Sequence, residues 1–60
     1  MYSKKVFIND DEYIHIMTNN KARVMLQIGD NTIEDNNYMV FMDRKLAREV
    51  ARWLLEASNE

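Results

Sequence analysis

Four cations crowd one side of the last third of the chain. Arg44, Arg48 and Arg52 recur at i, i+4 and i+8, with Lys45 alongside. On a helix that spacing brings the three arginines onto one stripe, where guanidinium groups can hold phosphates or an acidic partner surface. Arg44 and Lys45 fall in the first turn, against the positive end of the helix dipole, which costs about 0.3–1 kcal/mol per charge. A cation placed against that field helps to hold an anion. The same stripe also reads as a solvated surface, because Glu49 and Glu56 stand four residues after Lys45 and Arg52 and can pair with them.

The remaining reactive residues are sparse. His15 is the single histidine, and there is no cysteine, so thiolate and multi-histidine metal sites are excluded. Ser3 and Ser58 lie near the ends of the chain, and no neighbour in sequence fixes a base beside either, so a nucleophilic triad has no support. Asp10-Asp11-Glu12 and Glu34-Asp35 pair carboxylates in turn-like stretches. Neither has the spacing of a calcium loop or the glycine on which that loop turns. No glycine run is present to cradle a phosphate. The expectation is a protein that is not an enzyme, with no cofactor and no metal.

Those residues must be positioned by a small scaffold. Sixty residues make a single domain, spanning 1–60, that buries only about 60% of its unfolded surface and is marginal without reinforcement. Disulfides are unavailable, so self-association is the expected support. The first ten residues hold too short an apolar run for a secretory signal, and nothing approaches the ~18 apolar residues of a membrane span. A cytoplasmic setting is expected, with no membrane partner.

Four β-rich runs precede the helix: Lys5–Asn9, Tyr13–Thr18, Lys21–Ile28 and Tyr38–Met42. In the third, Ala22, Val24, Leu26 and Ile28 alternate with Arg23, Met25 and Gln27, the period of two of a strand. The chain has no proline and one glycine, so asparagine and aspartate punctuate it. Asn9-Asp10-Asp11-Glu12 breaks the first run, and Asn19-Asn20 suits a tight hairpin because Asn tolerates positive φ. Gly29-Asp30-Asn31 and Asp35-Asn36-Asn37 bracket a further loop. Short connections predict a four-stranded antiparallel meander. Asp43 caps the helix that follows. The fold class is α+β, ββββα, with the helix packed on one sheet face.

The expected core is Val6, Ile8, Ile14, Ile16, Val24, Leu26 and Ile28, met by Leu46, Val50, Trp53 and Leu54 from the helix, with Trp53 central. Ala47, Ala51 and Leu55 widen the helical apolar arc to roughly 200°, and small residues at i and i+4 let a second helix approach closely. The opposite sheet face should present Phe7, Tyr13, His15, Met17 and Met25, with Met39 and Phe41 as one of two possible fourth-strand sets. Methionine and aromatic residues on an open face are adaptable contact material. Phe7, Tyr13, His15, Met17, Met25, Met39, Phe41, Ala47, Ala51 and Leu55 are thus the candidate partner interface.

Before Asp43, Lys4, Lys5, Lys21 and Arg23 stand against six acids, so the strand segment is net −2 while the helix is neutral, and the chain as a whole is net −2. Such a balance carries no global attraction to nucleic acid or anionic lipid. Two functions follow. The leading one is a small interaction or regulatory module, a homodimer or a subunit docking on a larger protein, of the accessory, inhibitory or phage type. The second is single-stranded nucleic-acid binding, with Arg44, Lys45, Arg48 and Arg52 as phosphate contacts. In element order, four antiparallel strands then one helix, the chain resembles the positive-cofactor type of single-strand-binding domain. That resemblance implies a dimer that grips DNA on its sheets, a mode that needs a basic, aromatic-bearing sheet where this segment is acidic. An acidic DNA mimic ranks third, because six strand-and-loop acids make a thin carboxylate array.

Overall fold

A computed structural model describes residues 1–33 and 37–60. It contains four strands, β1 (Ser3–Phe7), β2 (Glu12–Thr18), β3 (Arg23–Asp30) and β4 (Tyr38–Asp43), followed by one helix, α1 (Arg44–Ser58). The strands form one antiparallel sheet in the order β1-β2-β3-β4. This is the ββββα, α+β arrangement that the alternating runs predict. The loop carboxylates Glu34 and Asp35 lie outside the described residues.

Asparagine and aspartate side chains build the turns. At the first, Asn9 Oδ1 accepts from the backbone N–H of Asp11 (2.9 Å) and Glu12 (2.8 Å), and its amide donates to Glu12 Oε1 at 2.8 Å. This Asx-type capping ends β1 at Phe7 and leaves Ile8 in the turn, exposed rather than in the core. At the second turn, Asn19 Oδ1 accepts from the N–H of Lys21 and Arg23, both at 3.0 Å. The connection is four residues, Asn19–Ala22, not the tight Asn19-Asn20 hairpin expected. Its left-handed residue is Ala22, with φ 59°, because the asparagine serves the turn through its side chain instead. β3 consequently starts at Arg23, two residues later than the periodicity suggests. Beyond β3, Asp30 Oδ1 accepts from the Thr32 N–H (2.8 Å) and hydroxyl (2.6 Å). These bonds, the hydroxyl first, hold the Asp30 carboxyl below its ordinary value.

Register decides the two faces. Val6 opposes Ile14, Ile14 opposes Ile28, Leu26 opposes Val40 and Val24 opposes Met42 on one face. Phe7 opposes Tyr13, Tyr13 opposes Gly29, and Met25 lies between Met17 and Phe41 on the other. The ambiguity of Tyr38–Met42 is thereby resolved: Tyr38, Val40 and Met42 share the first face, Met39 and Phe41 the second.

Asp43 ends β4 and caps α1 in one residue, its Oδ1 accepting from the Leu46 N–H at 2.8 Å. The helix lies along the first face over one corner, where Ala47, Val50, Ala51 and Leu54 meet Ile16, Val24, Leu26 and Met42 around a groove of about 230 Å³. The sheet-facing stripe is therefore rotated towards the two alanines. None of the helical residues is buried: Trp53 is 49% exposed, Leu54 68% and Leu55 65%. Trp53 is not the centre of a core, and Val6, Ile16 and Ile28 also stay partly open where a closed core was expected. Among the described residues the buried ones, Met25 (8% exposed), Tyr13 (9%) and Gly29, belong to the face without the helix.

Two predictions follow from the turns. An alanine at positive φ is strained by roughly 1–2 kcal/mol, of which glycine recovers most at the cost of extra unfolded-state entropy. Ala22→Gly should therefore stabilise the chain by about 0.5–1 kcal/mol in urea titration; a loss of stability would place the strain elsewhere. Asp30, whose folded value is lowered, contributes stability that is fully present above the ordinary carboxylate range and is lost as pH falls through the lowered value. Asp30→Asn should flatten the acid limb of the stability profile, and an unchanged limb would contradict the assignment.

Candidate interaction surfaces

The face without the helix is organised around Tyr13. Its ring lies across Gly29, its cross-strand neighbour, so that a Cβ at position 29 would overlap the ring, the hydroxyl and Asn37 Oδ1. An aromatic ring over a strand glycine restores the packing that the missing side chain leaves out. Phe7 adds a tilted ring contact, with centroids 5.7 Å apart and planes at 58°. Lys5 Nζ sits 4.3 Å from the Tyr13 centroid, a cation–π contact. Seven of the expected interface residues, Phe7, Tyr13, His15, Met17, Met25, Met39 and Phe41, do share this face. Within the set, Tyr13 and Met25 are consumed by internal packing, whereas Phe7, Met39 and Phe41 remain about half exposed.

Ala47 and Ala51 line the groove against the sheet, so they face this chain's own strands. Leu55, 65% exposed, lies outside that groove. On the same helix, Arg44, Lys45, Arg48 and Arg52 are all exposed. Among the described residues the one ion pair is Arg52 Nε to Glu56 Oε1 at 3.9 Å, between two largely solvated side chains. A pair of that kind contributes little.

The strand register also makes a pairing that the linear sequence does not reveal. Ser3 opposes Met17, and its Oγ lies 2.9 Å from His15 Nε2 across β1 and β2. A hydroxyl beside an imidazole is the first half of a nucleophilic pair. The second half, a group orienting the other ring nitrogen, is not among the hydrogen bonds of the described residues. Strand alternation could have signalled this contact only once the β1–β2 register was known. Among the described residues no three His, Asp or Glu side chains gather as metal ligands would, and no helix is long and apolar enough to cross a membrane.

The size of the surface is the clearest quantitative anomaly. The chain exposes 5160 Å², whereas a folded chain of this mass exposes about 4,100 Å². Its radius of gyration is 12.7 Å, and its extents are 35 × 33 × 17 Å, against about 10 Å for a compact chain of sixty residues. The molecule is a thin, open plate with a helix on one corner. Compared with known proteins, it matches no protein family, no curated protein and no solved structure.

The Tyr13–Gly29 contact yields a prediction. Gly29→Ala should force the ring out of its seat and destabilise the chain by about 1–3 kcal/mol. The near-ultraviolet dichroism of the tyrosines should weaken at the same time. Unchanged stability with an unchanged tyrosine signal would mean that the ring does not depend on the glycine.

Proposed function

We propose that this chain is a small, non-enzymatic interaction or regulatory module, acting in the cytoplasm as a homodimer or by docking on a larger protein. One observation carries the reading: a fifteen-residue amphipathic helix has no buried residue, over a sheet face that is itself partly open. Exposed apolar surface of this extent marks contact with another macromolecule. An inhibitory or accessory role of the phage type suits a chain that offers surface rather than a reaction centre. The Ser3–His15 pair lacks an orienting carboxylate among the described contacts, which weighs against hydrolysis.

Single-stranded nucleic-acid binding is the competing reading, favoured by the exposed stripe of Arg44, Lys45, Arg48 and Arg52. Against it stand the net charge of −2 and Glu56 beside Arg52.

Sedimentation at micromolar concentrations should reveal a species heavier than 7.2 kDa, and Leu55→Arg should weaken the assembly if Leu55 lies in it. A folded monomer throughout, with no protein partner, would overturn the module reading. In parallel, replacing Arg44, Arg48 and Arg52 with glutamine should leave folding and assembly intact. Binding of single-stranded DNA should be absent at physiological salt. Tight, salt-sensitive binding that vanishes in the triple variant would establish the competing function, because each neutralised phosphate releases counterions.

A further inference from the structure

The two edges of the sheet are unlike each other. β1 carries Lys4 and Lys5, whose side chains emerge on opposite faces, and lysines on an edge strand deter the addition of another strand. β4 has no such guard. Tyr38-Met39-Val40-Phe41-Met42 is an unbroken apolar run without proline, glycine or charge. Tyr38 is 74% exposed, and Met39, Val40 and Phe41 are each more than half exposed. A strand that is apolar on both faces is the pattern of the interior of a sheet, where both sides are covered. Here it stands at the rim.

We propose that β4 pairs edge to edge with β4 of a second copy of this chain, joining the two sheets into one continuous antiparallel sheet. The proposal rests on the interaction-module reading and gives it a partner and a register. The surface area supports a second copy as the occupant: the chain exposes about 1,000 Å² more than a compact one of its mass. That excess exceeds the roughly 800 Å² that each partner contributes to a standard interface. The strand is also self-complementary. Antiparallel pairing across a twofold axis normal to the sheet brings together only residues of the same face. With Val40 opposite the partner's Val40, Met39 faces the partner's Phe41 and Tyr38 faces the partner's Met42. All five apolar residues then find apolar neighbours. Asp43, which the helix uses as its cap, stays outside the paired segment. Moving the register two residues along would set Asp43 against Met39, and moving it two residues back would set Asn37 against Phe41. The same axis keeps both helices on one side of the joined sheet, with Tyr38 and Val40 lying between them.

The absence of cysteine makes the register directly testable. Directly opposed strand residues have Cα atoms about 4.5–5.5 Å apart, within the span of a disulfide, about 4.4–6.8 Å. Val40→Cys, oxidised with diamide, which takes up the two thiol hydrogens, should convert to a covalent dimer at low micromolar concentration. Val6→Cys, on β1 and about equally exposed, should react far more slowly. In a second variant, Val40→Lys, paired ammonium groups would oppose each other across the axis. The apparent dissociation constant should rise by about 100-fold or more, with the circular dichroism of the single chain retained because Val40 is half exposed within it. Cross-linking of Val40→Cys no faster than that of Val6→Cys would overturn the proposal, and so would a Val40→Lys protein that dimerises like the original. If either result came with a wild-type dimer, self-association would stand and edge pairing alone would fall. A wild-type chain that stays monomeric would remove both. Should Val40→Lys fail to fold, the cross-linking comparison decides alone.

Discussion

No loop separates the last strand from the helix. Asp43 closes β4 with one end of its backbone and caps α1 with its side chain, so the helix begins at the very next residue. Elements that cross back over a sheet ordinarily have a few connecting residues in which to turn. Without them, α1 reaches only the corner formed by Ile16, Val24, Leu26 and Met42. The rest of the molecule follows from that constraint. The helix offers Trp53, Leu54 and Leu55 to the outside, the far side of its sheet face stays open, and the chain is a plate with an excess of surface.

The face that the helix does not touch is the better packed one. Tyr13 over Gly29, with Phe7 at its side and Lys5 above the ring, covers one part of it, and Met25 is buried farther along β3. A large aromatic ring can fill the space over a cross-strand glycine without help from another layer. The branched aliphatic residues Val6, Ile14, Ile16 and Ile28 cannot do this, because short side chains standing on a sheet need a second layer to meet. The face of Tyr13 and Met25 thus holds the buried side chains, whereas Val6, Ile16 and Ile28 on the other stay partly open.

Function is best understood through that asymmetry. The cations of α1 form a solvated stripe with one weak ion pair and no aromatic platform of their own, on a chain that is acidic overall. The exposed apolar residues, by contrast, lie on β4, on the helix-side sheet face and on the last turns of the helix. Contiguity of apolar surface, more than its total amount, is what separates an interaction surface from ordinary exposed side chains.

By itself, the sequence determined the element order, and it placed the strand ends to within two residues. Period-two alternation in Val24–Ile28, the capping aspartate and the i, i+4 spacing of the helix are local properties, set by backbone geometry within a few residues. It also determined that Phe7, Tyr13, His15, Met17 and Met25 share one face, because alternation and short turns leave little freedom of register. Only the tertiary structure decided the rest. The facing of Tyr38–Met42 was open because both alternating sets are apolar, and the pairing with β3 settled it. Which helical stripe meets the sheet depended on the direction in which α1 leaves Asp43, a relation between elements that periodicity does not contain. Ala47 and Ala51 therefore line the groove beside the sheet, and Trp53 did not become the core. The Ser3–His15 contact and the seat of Tyr13 on Gly29 likewise exist only across strands, where residues far apart in sequence become neighbours.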